Sequence, residues 1–372
     1  MTANEEDLLT VKLRSPLDIT TSIPYLLGFA PAESVVMVFF READRRLVVT
    51  GRVDYPRVPA GEGSVLARCS HVYRSAAAAG ATAVHLAIYP PLDRSLSETD
   101  SLCRGLCEAA DSVGLTAWSC GAVACGSWFD FFTGDIEGVP IDGTGDEVAC
   151  SFIAHGRSYL ADRQSLESCV IGPETELAAA VSKCIDGYEQ FEPVPHLGTP
   201  GERRRIEDAM FKFLTERTPA RMQTPPESAP HVPILTGWML ALADRRVREP
   251  LLRRMAMATG KGASEHPIDV WRDGAIQRMS WMARNSPLEL GAPVAASLAA
   301  FSWQIGNGAL AMIAAQHALN CDPSNVLAGL IQEAVSRGVH PDIWVGMLES
   351  LTLSELRSGH ASAPVRSHPK RT

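Results

Sequence analysis

The residues best placed to do chemistry cluster around one aromatic run and the loop behind it. Trp128, Phe129, Phe131 and Phe132 crowd around Asp130, and a Gly-, Asp- and Pro-rich loop from Gly134 to Gly145 follows. A carboxylate among aromatic rings can line a small-molecule pocket, and loops carried on a rigid sheet are where sites collect. Alternation along a strand puts Trp128, Asp130 and Phe132 on one side and Phe129 and Phe131 on the other. His155, beside Gly156 and Arg157 at an expected helix end, is the one histidine in a rim position. Trp128, Asp130, His155 and Arg157 are therefore the candidate binding residues. Each also has a purely structural reading: an edge hairpin packed under helices for the aromatics, and a cation favoured by a helix C-terminus for His155.

Cysteines offer a second chemistry. Cys103 and Cys107 stand i, i+4 on an expected helix, and Cys120 and Cys125 lie one element on. Four thiols could converge on zinc, but no CxxC pair occurs and zinc sites favour shorter spacings. The spacing predicts buried thiols and no metal. All nine cysteines are irregularly spaced and mostly lie in apolar segments, the pattern of reduced thiols in a cytoplasm rather than of a disulfide framework.

Other chemistries fare less well. Gly260-Lys261-Gly262 has the glycine and lysine of a phosphate loop, but Gly262 stands where Ser or Thr would hold magnesium. Gly143-Thr144-Gly145 and Gly306-Asn307-Gly308 lack the third glycine of a dinucleotide fingerprint; the second reads as a turn between helices. Ser127 and Ser151 are not in a GxSxG elbow. His85, in an apolar strand, and His317, in an apolar helix, read as hydrogen-bonded core or surface histidines rather than bases. The basic residues Arg203–Arg205, Arg245, Arg246, Arg248, Arg253 and Arg254 have acidic neighbours in Glu202, Glu207, Asp208 and Glu249, as solvated helical faces do. The reading is of no catalytic constellation and no cofactor.

The elements that must position these residues begin with Leu13 to Phe40. Ser15, Pro16 and Asp18 form a capping box with proline at N1, Gly28 is placed to close the helix left-handed, and Pro24 should kink or shorten it. Ser34–Phe40 and Arg46–Tyr55 read as a hairpin, and Thr82–Tyr89 and Leu115–Ala124 as strands separated by helices at about 61–79 and 97–113. Trp128–Phe132 is the hairpin partner of the last strand. Beyond Gly145 the chain is helical, with capping boxes at Thr199-Pro200-Gly201-Glu202 and Ser286-Pro287-Leu288-Glu289 and an N-cap and N1 pair at Asp322-Pro323.

The fold class is thus α/β, a mixed sheet with helices on its faces, followed by an all-helical lobe. The expected division is an α/β domain over 10–195, a connecting helix and Pro-rich linker over 196–233, and a helical domain over 234–357. Tails at 1–9 and 358–372 should be disordered. The 372 residues are 46% hydrophobic and 21% charged, with no apolar run of membrane-spanning length and an acidic, polar start unlike a signal peptide. A net charge of −9 argues against bulk binding to nucleic acid or anionic lipid.

Three blocks carry a family likeness: SPLDITTSIPYLLGFAPAESVV, then GSWFDFFTGDIEGVP with VACSFIAHGRSYLADRQSL, then SLAAFSWQIGNGALAMIAAQHALNCDPSNVLAGLIQEAVSRGVHPDIW. In residues and order the chain resembles the actinobacterial domain-of-unknown-function 4192 family, which is uncharacterised and so implies no activity or catalytic residue. The expected function is a non-enzymatic cytoplasmic interaction or regulatory protein that binds a protein partner through its C-terminal helical lobe. The alternatives are an enzyme with a pocket near the Trp128–Phe132 hairpin and a nucleic-acid-associated factor.

Overall fold

Helix α1 (Pro16–Leu27) sets the frame. The Ser15 hydroxyl accepts from the Asp18 amide at 3.1 Å, and the Asp18 carboxylate accepts in return from the Ser15 amide at 3.1 Å. Gly28 closes the helix at φ 80°, its amide donating to the Pro24 carbonyl. Pro24 lies inside α1 without cutting it short. The computed structural model describes residues 13–44, 46–56, 62–134, 137–141, 147–154, 158–190, 199–216, 225–226, 228–259 and 270–359. The expected tails, save 358–359, fall outside these, as do 196–198, 217–224 and 227 of the expected connecting helix and linker.

β1 (Ser34–Arg41) and β2 (Arg46–Asp54) form the expected antiparallel hairpin. α2 (Glu62–Ala78), β3 (Ala83–Tyr89), α3 (Leu96–Asp111) and β4 (Thr116–Ala124) follow. β3 pairs antiparallel with β1 and parallel with β4, α3 supplying the crossover that a parallel pair requires. Cys125 and Gly126, both with positive φ, turn the chain into β5 (Ser127–Asp130). A short β6 (Val139–Pro140) then pairs with β5, so part of the expected loop is an edge strand and β5 is interior. The mixed sheet runs β2-β1-β3-β4-β5-β6.

Strand alternation divides the core into two layers. Val35, Met37, Phe39, Val84, Leu86, Ile88 and Cys120 face α2 and α3. Val36, Val38, Ala87 and Trp128 face α1 and join a larger core that extends into the helices beyond. Those helices are α4 (Glu147–Ala154), α5 (Arg163–Ser168), α6 (Glu176–Gln190), α7 (Pro200–Leu214), α8 (Val232–Ala241), α9 (Arg245–Thr259), α10 (Val270–Arg284), α11 (Leu288–Gln304), α12 (Gly308–Cys321), α13 (Val326–Ser336), α14 (Asp342–Ser350) and α15 (Leu353–Ser358). α11 is buried continuously from Leu290 to Gln304, as a helix apolar on all sides must be. Its alanines meet Ala318 of α12 and Ala328 of α13, small side chains that let helix backbones approach closely. Among the described residues no helix is long and apolar enough to cross a membrane.

Two caps differ from expectation. Ser286 does not cap α11; its hydroxyl donates back to the Met282 carbonyl at 2.8 Å, finishing the preceding helix, and Pro287 takes the N-cap position. Asp322 ends α12 and accepts from the Ser324 amide at 2.9 Å, leaving Asn325 to cap α13. A polar side chain between two helices can serve either one, and both of these serve the chain around the end of the preceding helix.

Candidate functional site

Trp128 and Asp130 stand two apart on β5 and have separate employments. Trp128 is 3% exposed, with its ring 5.2 Å from that of His85. It lies against Gly121 so closely that a Cβ there would fall 2.7 Å from the indole and collide with the Phe129 carbonyl. The Asp130 carboxylate accepts from the Phe132 amide at 2.9 Å, closing the turn after β5. The indole is core and the carboxylate is turn. His155 and Arg157 lie outside the described residues, as do Gly143-Thr144-Gly145 and Gly260-Lys261-Gly262. Gly306, at φ 83°, makes the expected turn between α11 and α12, with Asn307 as N-cap.

His85 is fully buried on β3 between α1 and β4. The Thr20 hydroxyl donates to the Pro16 carbonyl at 2.9 Å, so its oxygen is left to accept from His85 Nε2–H at 3.0 Å. The Ser119 hydroxyl then donates to Nδ1 at 2.5 Å. Burial pushes the imidazole from 6.5 down to about 3, so it stays neutral at physiological pH. Both ring nitrogens are committed, and the site is closed to solvent. His317, half-buried on α12, has its Nε2 4.0 Å from the Cys321 sulfur, and burial lowers its pKa.

Three of the four singled-out cysteines converge on the opposite face of the sheet. α3 packs on β4 so that Cys103 lies over Cys120, and the two are joined as a disulfide with Cα atoms 6.4 Å apart. The sequence reading had both as thiols; a pairing across 17 residues depends on how α3 docks. One helical turn on, the Cys107 sulfur lies 4.0 Å from that of Cys103, and all three sulfurs fall within 4.8 Å of one another. Cys125 is exposed in the β4–β5 turn, outside this group. Burial, then the charges of Asp111, Asp100 and Glu108, pushes the Cys107 thiol up to about 11. Burial also pushes Cys69, on α2, up to about 12. Tyr73, one turn beyond Cys69, is fully buried, and its hydroxyl has no hydrogen-bond partner among the described residues.

The helical half offers little room for a small molecule at its centre: a cavity lined by Met210, Phe213, Leu242 and Met282 holds about 10 Å³, the size of one water. Several of its arginines are paired internally. Arg254 bonds Glu207 at 2.9 Å and Asp208 at 2.6 Å, Arg357 bonds Glu207 at 2.8 Å, and Arg246 bonds Asp244 at 2.8 Å.

This half also leaves large apolar side chains in water. Val326 and Leu330, one turn apart on α13, are 74% and 60% exposed; Ile343 and Met347, one turn apart on α14, are 68% and 47% exposed. The sequence reading named none of these four. The available signal was an excess: α13 carries more large apolar residues than its buried Ala328 and Ile331 require.

The family model for a domain of unknown function, DUF4192, matches residues 16–342. The chain belongs to the DUF4192 family. Among curated proteins and among solved structures, nothing matches it. Family membership carries no activity with it, so the functional reading of this DUF4192 chain rests on its own geometry.

Proposed function

We propose that this DUF4192 protein is a non-enzymatic cytoplasmic interaction protein whose C-terminal helices hold a basic, amphipathic segment of a protein partner. The observation that carries this reading is the pair of exposed apolar stripes on α13 and α14. Large side chains left in water at i, i+4 spacing are anchors for a helix or extended segment laid across them. Burying the four side chains from their present exposure is worth roughly 4–7 kcal/mol gross, a scale suited to a transient partner. Charge supports the choice of partner: from Leu288 to Leu351 the acidic residues Glu289, Asp322, Glu333, Asp342 and Glu349 face a single arginine, Arg337. A basic segment is steered to such a surface and an acidic one repelled.

The test is a titration of the full chain against fluorescent amphipathic peptides of Lys/Leu and Glu/Leu composition. The basic peptide should bind and the acidic one should not. Leu330→Asp and Ile343→Asp should each weaken the basic peptide by about tenfold or more while leaving the melting temperature in place. Equal binding by wild type and both variants would overturn the reading.

A further inference from the structure

The three sulfurs on the α2–α3 face of the sheet are separate from the apolar stripes and answer to a different chemistry. We propose that the reduced chain binds one thiophilic d10 cation, zinc(II) or copper(I), between Cys103, Cys107 and Cys120, and that the Cys103–Cys120 disulfide is the oxidised, metal-free state of the same site. Sulfur ligands select soft cations of this kind. The geometry supplies three donors from two rigid elements, Cys103 and Cys107 one turn apart on α3 and Cys120 on β4, all within 4.8 Å. Cys103 and Cys120 are 2% and 0% exposed, while Cys107 is only half-buried and offers the way in from solvent.

A second, independent observation points into the same layer. The Tyr73 hydroxyl is buried without a hydrogen-bond partner among the described residues, which costs a fold free energy unless a ligand uses the oxygen. Tyr73 belongs to the same buried cluster as Cys103 and Cys120, and Cys107 packs against that cluster. Zinc takes four ligands, the fourth being a solvent molecule or this phenol from the same layer; copper(I) is satisfied by three sulfurs. The carboxylates of Asp100, Glu108 and Asp111 lie near Cys107, and their negative charge favours a cation beside it.

The chemistry balances simply. A dithiol reductant gives two electrons and two protons to the Cys103–Cys120 bond, yielding two thiols and leaving as its own disulfide. Each of the three thiols then releases its proton to solvent as its sulfur bonds the metal. Oxidation by a peroxide or a disulfide runs the other way, expelling the cation as the sulfur–sulfur bond forms.

The experiment uses the full chain, reduced with a phosphine under anaerobic conditions, freed of reductant, and titrated separately with zinc(II) and with copper(I) against chromophoric chelators. Uptake of one equivalent in either arm is expected, and the arm that saturates identifies the cation. Bound metal should protect Cys103, Cys107 and Cys120 from alkylation as mapped by peptide mass, and the oxidised chain should take up none. Cys107→Ser, at a half-buried position that tolerates the change, should weaken binding by more than the roughly 10–100-fold that an outer-shell change costs. Cys125→Ser should leave binding unchanged. If the reduced, folded chain binds neither cation, or binds one equivalent with the three cysteines still open to alkylation and with no effect of Cys107→Ser, the site is a disulfide with a bystander thiol and the proposal is overturned.

Discussion

Two buried polar groups on opposite faces of the sheet are treated oppositely. On the α1 face, His85 sits between Thr20 and Ser119 with both nitrogens bonded. Every proton in that chain is accounted for, ending at the Pro16 carbonyl. On the α2–α3 face, Tyr73 keeps an unbonded hydroxyl and three sulfurs crowd together. A satisfied polar group in a core fixes register and packing, whereas an unsatisfied one costs stability with no structural return. The first group is architecture. The second is where a ligand has something to do.

The largest way to break the closed face is at Gly121. A β-branched side chain there must push apart the Phe129 carbonyl and the Trp128 indole, which are backbone and core rather than flexible surface. Gly121→Val should cost about 4 kcal/mol or more in a urea melt, or abolish the cooperative transition. A melt within about 1 kcal/mol of wild type would show that β4 and β5 are not packed this tightly.

The next effect is on pH. The folded His85 titrates near 3 and the unfolded one near 6.5, so between these values the unfolded chain holds the extra proton. Stability from this residue is present above 6.5 and is lost as pH falls toward 3. Between pH 7.5 and 4.5 the loss should be on the order of 2–3 kcal/mol, at roughly 1.4 kcal/mol per unit below 6.5. His85→Gln, which cannot take up that proton, should flatten this part of the profile. Equal slopes for variant and wild type would mean that His85 is not closed from water.

How much of this was legible depended on range. Local signals were readable: the Ser15–Asp18 and Thr199–Glu202 boxes and the Gly28 cap are set by residues within a turn or two of each other. The strands of the first half were readable because continuous β-branched runs have few alternatives. Ser286 and Asp322 misled because each lies within reach of two helix ends. His85 was readable as a bonded core histidine, but not its partners, which come from 65 residues before and 34 after. The cysteine grouping needed the docking of α3 on β4, and the apolar stripes needed to be seen uncovered, since periodicity marks apolar positions without saying which remain in water.

The contrast between the two faces is tested most directly by one paired measurement, the urea stability at pH 7.5 of metal-free Ser119→Ala and Tyr73→Phe. Each removes one buried hydroxyl and leaves the fold otherwise intact. Ser119→Ala strips the donor from His85 Nδ1 and should cost about 1–3 kcal/mol. Tyr73→Phe removes a hydroxyl that bonds nothing and should be neutral or stabilising by about 1 kcal/mol. A loss at Tyr73→Phe as large as that at Ser119→Ala would contradict the distinction between a bonded buried group and an unbonded one.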